Sequence, residues 1–389
     1  MKRPDPKRRE RPEKAVRLSF ARPGKRNVAE AFLGGRLEIL SSRGVRGPER
    51  VLVEALDAGL EGSVLVAGTR EALVALAAAG LFPEARVTWL AFDAYEFHRA
   101  ARRLRKRPRE NLEAALGADI PPAGAHDWVL LALPQTGDAM LSAELVREAS
   151  LALSPRGKLL AATDNPRDRW LGDRIREAFG AATIYRRSRR GTAYVARRQP
   201  GARPRERDFR RRFRARLFGR EIELETRPGV FSHGELDEGT LALSEVASLR
   251  PDARVLDLGC GSGAVGIAAA AAAPRGCALL VDASPRAVEV AAANVRRNRV
   301  ERNAAVLLAH DLSAVADASF DLVLANPPYY SDFRIARQFA RDSFRVLREG
   351  GELFLVTKSP EMPEAIIAKV FGSSEGVSRR GYRVIRGER

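Results

Sequence analysis

The chain repeats itself. VLVAG at Val64–Gly68 is echoed by VLDLG at Val255–Gly259, and WLAFDAY at Trp89–Tyr95 by ALLVDAS at Ala278–Ser284. HDWVLLALPQ at His126–Gln135 returns as FDLVLANPPY at Phe320–Tyr329. PRGKLLAAT at Pro155–Thr163 returns as EGGELFLVT at Glu349–Thr357, and RRGTAYVARR at Arg189–Arg198 as RRGYRVIRG at Arg379–Gly387. Five matches in one order, about 190 residues apart, mark a duplicated unit. Each copy alternates short apolar strands with Ala- and Leu-rich helical stretches, the pattern of βαβ units on a mainly parallel sheet. A chain of 389 residues is long enough for two such cores. The expected domains are 27–198 and 221–389, joined by a basic linker over 199–220 and preceded by a basic disordered arm over 1–26.

The copies differ where chemistry would sit. The first has Val66 where the second has Asp257, GTREA where the second has GCGSG, and Leu133-Pro134-Gln135 where the second has Asn326-Pro327-Pro328. The N-terminal copy is therefore expected to be catalytically silent and to serve substrate binding or support.

Charge points to a polyanion. The net charge is +18, and two stretches account for all of it. Residues 1–26 hold eleven Lys/Arg against three acids, and residues 186–220 hold fifteen Arg against two, leaving the remainder slightly acidic. Clustering of this kind suits contacts to nucleic-acid phosphates. A smaller cluster comprises Arg102, Arg103, Arg105, Lys106, Arg107 and Arg109. No apolar run reaches the roughly 18 residues of a membrane span, and the arm lacks the apolar segment of a secretory signal. Two cysteines, Cys260 and Cys277, and four scattered histidines offer no metal-ligand spacing. We expect a cytoplasmic monomer with no membrane or metal partner.

The strand RVLDL at Arg254–Leu258 runs into GCGSGAVG and then a helical stretch. Gly259, Gly261 and Gly263 allow a tight turn and close approach of a ligand to backbone, with helix N–H groups aimed at the same point. Asp282 ends the next strand, where a carboxylate can bind a ribose diol. These features alone also fit a dinucleotide fingerprint. Asp257, ahead of the first glycine, separates the two readings. It would repel a pyrophosphate and suits the ammonium and sulfonium of S-adenosylmethionine. Asp311, after the third strand, could take an adenine amino group or simply cap a helix.

The fourth strand, DLVLA at Asp321–Ala325, ends in Asn326-Pro327-Pro328-Tyr329. The lone pair of an exocyclic or amide nitrogen is delocalised, so acceptors on its N–H bonds favour the pyramidal form that attacks a methyl group. The Asn326 side-chain carbonyl and the Pro327 backbone carbonyl could serve. The prolines stiffen the corner, and Tyr329 offers a face for a flipped-out base.

DLGCGSG, VDAS and NPPY in this order resemble the class I methyltransferases that modify exocyclic or amide nitrogens. GVFSHGELDEGT at Gly229–Thr240 is similar to the GVFS…LD.G(S/T) segment of bacterial ribosomal RNA guanine-N2 methyltransferases, which are tandem duplications with an inactive N-terminal copy. The resemblance covers nearly the whole chain after the arm. It implies two tandem Rossmann-like class I methyltransferase domains, the first degenerate, with S-adenosyl-L-methionine as methyl donor and guanine N2 of ribosomal RNA or a ribosomal subunit as acceptor. It assigns the cofactor to Asp257, Gly259, Gly261, Asp282 and Asp311 and catalysis to Asn326, with Phe231 and Asp237 lining the cofactor or substrate entrance. The residues themselves add Gly263 to the cofactor turn, Pro327 and Tyr329 to catalysis and Pro328 to substrate binding. NPPY also occurs in release-factor glutamine methyltransferases and adenine-N6 methyltransferases, which stay open as alternatives.

Overall fold

The computed structural model describes residues 27–32, 36–41, 47–105, 108–199, 207–327 and 334–389. The arm expected over 1–26, Pro328 and Tyr329 lie outside them. In chain order the elements of the N-terminal half are β1 (Asn27–Phe32), β2 (Arg36–Ser41), α1 (Gly47–Glu54), β3 (Ser63–Ala67), α2 (Leu73–Leu81), β4 (Arg86–Ala91) and α3 (Ala94–Leu104). They continue with β5 (Leu112–Leu116), β6 (His126–Ala132), α4 (Ala139–Ala152), β7 (Leu153–Thr163), α5 (Trp170–Phe179), β8 (Thr183–Ser188) and β9 (Gly191–Arg197). The C-terminal half has β10 (Arg211–Leu217), β11 (Arg220–Thr226), α6 (Glu238–Val246), β12 (Arg254–Leu258), α7 (Ala264–Ala272), β13 (Cys277–Asp282), α8 (Pro285–Arg297) and β14 (Ala304–Leu308). It closes with β15 (Phe320–Ala325), α9 (Arg334–Val346), β16 (Leu347–Thr357), α10 (Glu361–Phe371), β17 (Glu375–Arg379) and β18 (Tyr382–Glu388).

Two seven-stranded sheets have the same topology, β5-β4-β3-β6-β7-β9-β8 and β14-β13-β12-β15-β16-β18-β17. In the second sheet the first five strands are parallel and the last two antiparallel, and in the first sheet β4, β3, β6 and β7 are parallel with β9 and β8 antiparallel. Two Rossmann-like domains therefore stand in tandem. The chain divides into two compact units at 206/207, with 92–98 and 116–118 counted in the second. The duplication reaches the ladder. β7 and β16 are related by a constant shift of 194 (153→347, 163→357). Both strands carry the same register break against their partners, His126/Trp128 in one copy and Phe320/Leu322 in the other.

The central strands are continuous apolar runs because both faces are covered. Val255, Leu256, Val323, Leu324 and Val356 are fully buried in the second sheet, as are Val64, Val66, Val129, Leu130 and Leu160 in the first.

One expectation is corrected. The stretch read as a linker contains β10, paired along its length with β11 as an antiparallel hairpin. RRFRARL alternates, with Phe213, Ala215 and Leu217 turned toward the α7 core and Arg212, Arg214 and Arg216 outward. The outward arginines face Glu225, Glu223 and Glu221 in register, and Arg212 bonds Glu225 at 2.6 Å. The other edge of β11 is closed by two amides one turn apart, Asn294 on α8 and Asn298 at its C-terminal cap. Asn294 receives Glu225 N–H and donates to its carbonyl, and Asn298 does the same for Glu223. A strand edge is thus satisfied without another strand.

Candidate active site

β12 and β15 are parallel neighbours with Leu258 opposite Ala325. The glycine turn that follows one strand and the Asn326 corner that follows the other leave the same sheet edge, about 5 Å apart in strand spacing. Gly259, Gly261 and Gly263 have φ of +81°, +54° and +84°, a region that L side chains seldom enter. On the open side of the turn, a Cβ at Gly261 would meet only Phe231, at 3.9 Å, and one at Gly259 only the Phe339 ring, at 3.6 Å. Gly266 has a different role, since a Cβ there would strike Leu280 at 2.4 Å. It lets α7 press against β13.

Two carboxylates lie beneath this turn. Asp257 is 3% exposed and accepts one hydrogen bond from Gly266 N–H at 2.8 Å. Burial pushes its carboxyl up to about 7, with that N–H opposing and the nearby Asp282 adding to the rise. Asp282 accepts from Gly261 N–H and Ser284 N–H, both at 2.8 Å. Its enclosed position raises its carboxyl, and the two N–H groups draw it back. Among the described residues no Lys or Arg is paired with either acid. An anionic, cation-poor pocket beside an open glycine turn fits a cationic ligand with a ribose and rejects a pyrophosphate.

Asn326 is held from the opposite side. Its amide nitrogen donates to Asp237 Oδ2 at 2.9 Å and Thr240 Oγ1 at 3.2 Å. A carboxylate can only accept, so the amide group facing Asp237 is NH₂ and the carbonyl oxygen is turned away from it. Asp237 also caps α6 through Thr240 N–H and receives Tyr382 O–H at 2.9 Å. Burial, followed by that carboxylate, raises the Tyr382 phenol, and Lys358 Nζ stands 4.9 Å from its ring centroid. A Cβ at Gly239 would come within 2.7 Å of Asp237 and 2.9 Å of Tyr382, so the cluster needs glycine there. Asp237, expected at the entrance, thus faces inward as the support of Asn326. Phe231 is 57% exposed beside the glycine turn, and Pro327 is buried behind Asn326.

Asp311 accepts from Ser313 N–H and Oγ–H, which hold its carboxyl below the usual range. No helix starts there, so it closes a local turn and does not cap a helix. Thr240 entered the sequence reading only as the end of the GVFSHGELDEGT segment; Tyr382 and Lys358 escaped it, as did Asn294, whose buried amide also donates to the Ser262 carbonyl in the glycine turn. Asn294 alone carried a signal, a polar residue on the apolar side of α8.

Residues 221–386 match the family model described as the Methyltransferase small domain. The chain is 31% identical over 195 residues to the ribosomal RNA small subunit methyltransferase C of Pseudomonas entomophila, covering 49% of this chain and 58% of that one. It thus spans little more than half the length of such small-subunit relatives. To the ribosomal RNA large subunit methyltransferase G of Ectopseudomonas mendocina it is 32% identical over 264 residues, 66% of this chain and 69% of the relative. The chain belongs to the family of these ribosomal RNA methyltransferases. The solved structure of the T. thermophilus 16S rRNA N2 G1207 methyltransferase, in complex with AdoMet and guanosine, shares the fold at a TM-score of 0.73. It is 24% identical, with 97% of this chain and 99% of that one covered.

Within this family member the first sheet is an internal comparison. Ladder registers match Val66 to Asp257 and Trp89 to Leu280, so Ala91 stands at the position of Asp282. The WLAFDAY echo is therefore two residues out of step. Asp93 is instead the counterpart of Ser284, bonding Glu96 N–H as Ser284 bonds Ala287 N–H. Likewise Ala132, not Leu133, occupies the position of Asn326. Arg70 replaces Gly261, and of the three left-handed residues only Gly68 persists, at φ +72°. The buried Trp89 indole donates to Thr69. Both acids, the amide and the turn are gone from this copy.

Among the described residues no group of three or more His, Cys, Asp or Glu is arranged to hold a metal, and no helix is long and apolar enough to cross a membrane. Cys260 is buried and Cys277 half-buried, and neither is in a disulfide.

Proposed function

We propose that the C-terminal unit transfers a methyl group from S-adenosyl-L-methionine to the exocyclic N2 of guanine in ribosomal RNA, with the N-terminal unit as a catalytically silent support. The observation that carries this reading is the pinned amide of Asn326, one strand away from a glycine turn backed by two uncompensated acids. Asp257, Asp282 and the turn from Gly259 to Gly263 would hold the cofactor, with Phe231 at its margin. Bound there, its sulfonium supplies an electrophilic methyl group.

The residues of the chain do the rest. The Asn326 carbonyl, oriented by Asp237, accepts one N–H of the guanine amine, with the Pro327 carbonyl as second acceptor. Both contacts favour the pyramidal form of the amine and would aim its lone pair at the side of the pocket where the methyl donor would be held. The proton released from the methylated amine would pass to solvent. Pro328 and Tyr329 would complete the wall against which the base stacks.

The reading is tested by nucleoside mass spectrometry of ribosomal RNA from cells with and without the gene, together with transfer of labelled methyl in vitro. We expect N2-methylguanosine to disappear from the first and label to enter RNA in the second. Label confined to protein, or to adenine, would overturn the guanine assignment.

A further inference from the structure

α9 begins eight residues after Asn326, at the sheet edge that carries the glycine turn. Its inner side packs there. Phe339 lies against Gly259, Gln338 donates to the His310 carbonyl at 2.9 Å, and Ala336, Ala340, Ser343 and Val346 are buried. The outer side carries Arg334, Arg337 and Arg341, all exposed. At 100° per residue these three fall within about 60° of arc and span about 10 Å of helix. No ion pair or hydrogen bond engages any of them among the described residues. The other arginines nearby are committed elsewhere, Arg345 to Asp317 and to the Val315 and Leu312 carbonyls, and Arg348 to Asp321 at 2.9 Å.

An Arg-rich chain could produce such a stripe by composition alone, and the duplicated copy tests that. α4 occupies the same place in the first sheet, between the same strands at the same shift of 194 (334→140, 337→143, 341→147). Its matching residues are Met140, Ala143 and Arg147. The two helices share one compositional background, and only the helix beside the intact site has all three cations. Three unpaired guanidinium groups in a row complement successive phosphates of one strand.

We propose that the outer face of α9 is a docking ledge for the sugar-phosphate backbone of the RNA that delivers the methyl acceptor, with Arg334, Arg337 and Arg341 as its phosphate contacts. This inference rests on the function proposed above. These contacts position the strand without reading sequence.

The test uses the full chain, an rRNA fragment that accepts methyl, and the triple variants R334Q/R337Q/R341Q and R334K/R337K/R341K. Binding is measured across a salt series alongside steady-state transfer. Three lost contacts at about 0.7 per contact predict a salt slope shallower by about 2 for the Gln triple. Its KM for RNA rises at least tenfold, while kcat at saturating RNA and cofactor affinity stay within twofold of wild type. The Lys triple keeps the wild-type slope. Should the Gln triple fail to fold, as judged by its melting transition, R337Q alone is expected to lower the slope by about 0.7. Wild-type slope and affinity in the folded Gln variants, with labelled methyl still entering RNA, would overturn the ledge and leave the function standing. If the unmodified chain neither binds RNA nor methylates it, the function fails and the ledge with it.

Discussion

At Asp257 a carboxyl that ordinarily titrates near 4 is pushed to about 7 by burial, with one N–H to oppose it. Between those values the cofactor-free native state holds a proton that the unfolded chain has lost. The contribution of this group to stability is therefore full below about 4 and declines as pH rises to 7. A cationic ligand reverses the balance by favouring the carboxylate. Cofactor affinity is expected to rise as pH increases from 6 to 7.5 and then level off, with proton uptake by buffer at the lower end. Calorimetry in two buffers of different ionisation enthalpy would register this, and Asp257→Asn should bind more weakly with that pH dependence removed. An equally steep dependence in the Asn variant would contradict the assignment. Asn326 permits a sharper dissection. Asn326→Ala is expected to lose about 10²- to 10³-fold in kcat, the cost of one preorganised hydrogen-bonding group, with cofactor affinity retained. Asp237→Asn keeps a good helix cap but lets the Asn326 amide turn over, because the new side chain both donates and accepts. Stability should hold while kcat falls about tenfold or more. If Asp237→Asn instead lowers the melting temperature and leaves kcat alone, Asp237 is a cap and nothing else.

The elements show which signals survive in a linear chain. Strand runs such as VLDLG and DLVLA, and their order, were legible because central parallel strands are apolar throughout and end in recognisable turns. The hairpin of β10 and β11 was hidden by arginine content, although RRFRARL and EIELET both alternate with the period of a half-buried strand. The basic reading of that region also weakens where arginines are matched by acids, as Arg186 is with Asp57 and Arg190 with Glu54. Asn326 and the glycine turn were legible as motifs, but the support of Asn326 was not. Tyr382 and Asp237 are 145 residues apart, and they meet because α6, which Asp237 caps, packs on β18 and its neighbour β16. Asn294 belongs to this scale because one buried side chain ties α8 to β11 and to the glycine turn. Asn294→Ala strands three backbone groups, and an unsatisfied buried group costs about 1–3 kcal/mol. We expect a loss of at least about 2 kcal/mol in denaturant unfolding together with weaker cofactor binding. Asn298→Ala, half-exposed and remote from the turn, should cost less and leave the cofactor unaffected. Equal losses at the two positions would refute the link through Ser262.

For the molecule as a whole, the question is what a duplicated sheet without a site can still do. The first sheet keeps the strand order, the register break and even the left-handed helix-ending glycine, Gly180 matching Gly372. These features serve folding, and they persist. The features that would serve a ligand have gone together: Val66 for Asp257, Ala91 for Asp282, Arg70 for Gly261 and Ala132 for Asn326. Loss limited to the transfer step would have removed the amide and spared the acids and glycines. Losing both sets implies that the first copy is released from holding cofactor at all. Titration of the full chain with S-adenosyl-L-methionine should therefore show one site per chain. Asp282→Ala, which removes the proposed ribose acceptor from the second copy, should abolish that isotherm and leave no weaker one behind. A second site, or a residual isotherm in the variant, would mean that the N-terminal copy binds cofactor by groups other than those the second copy uses.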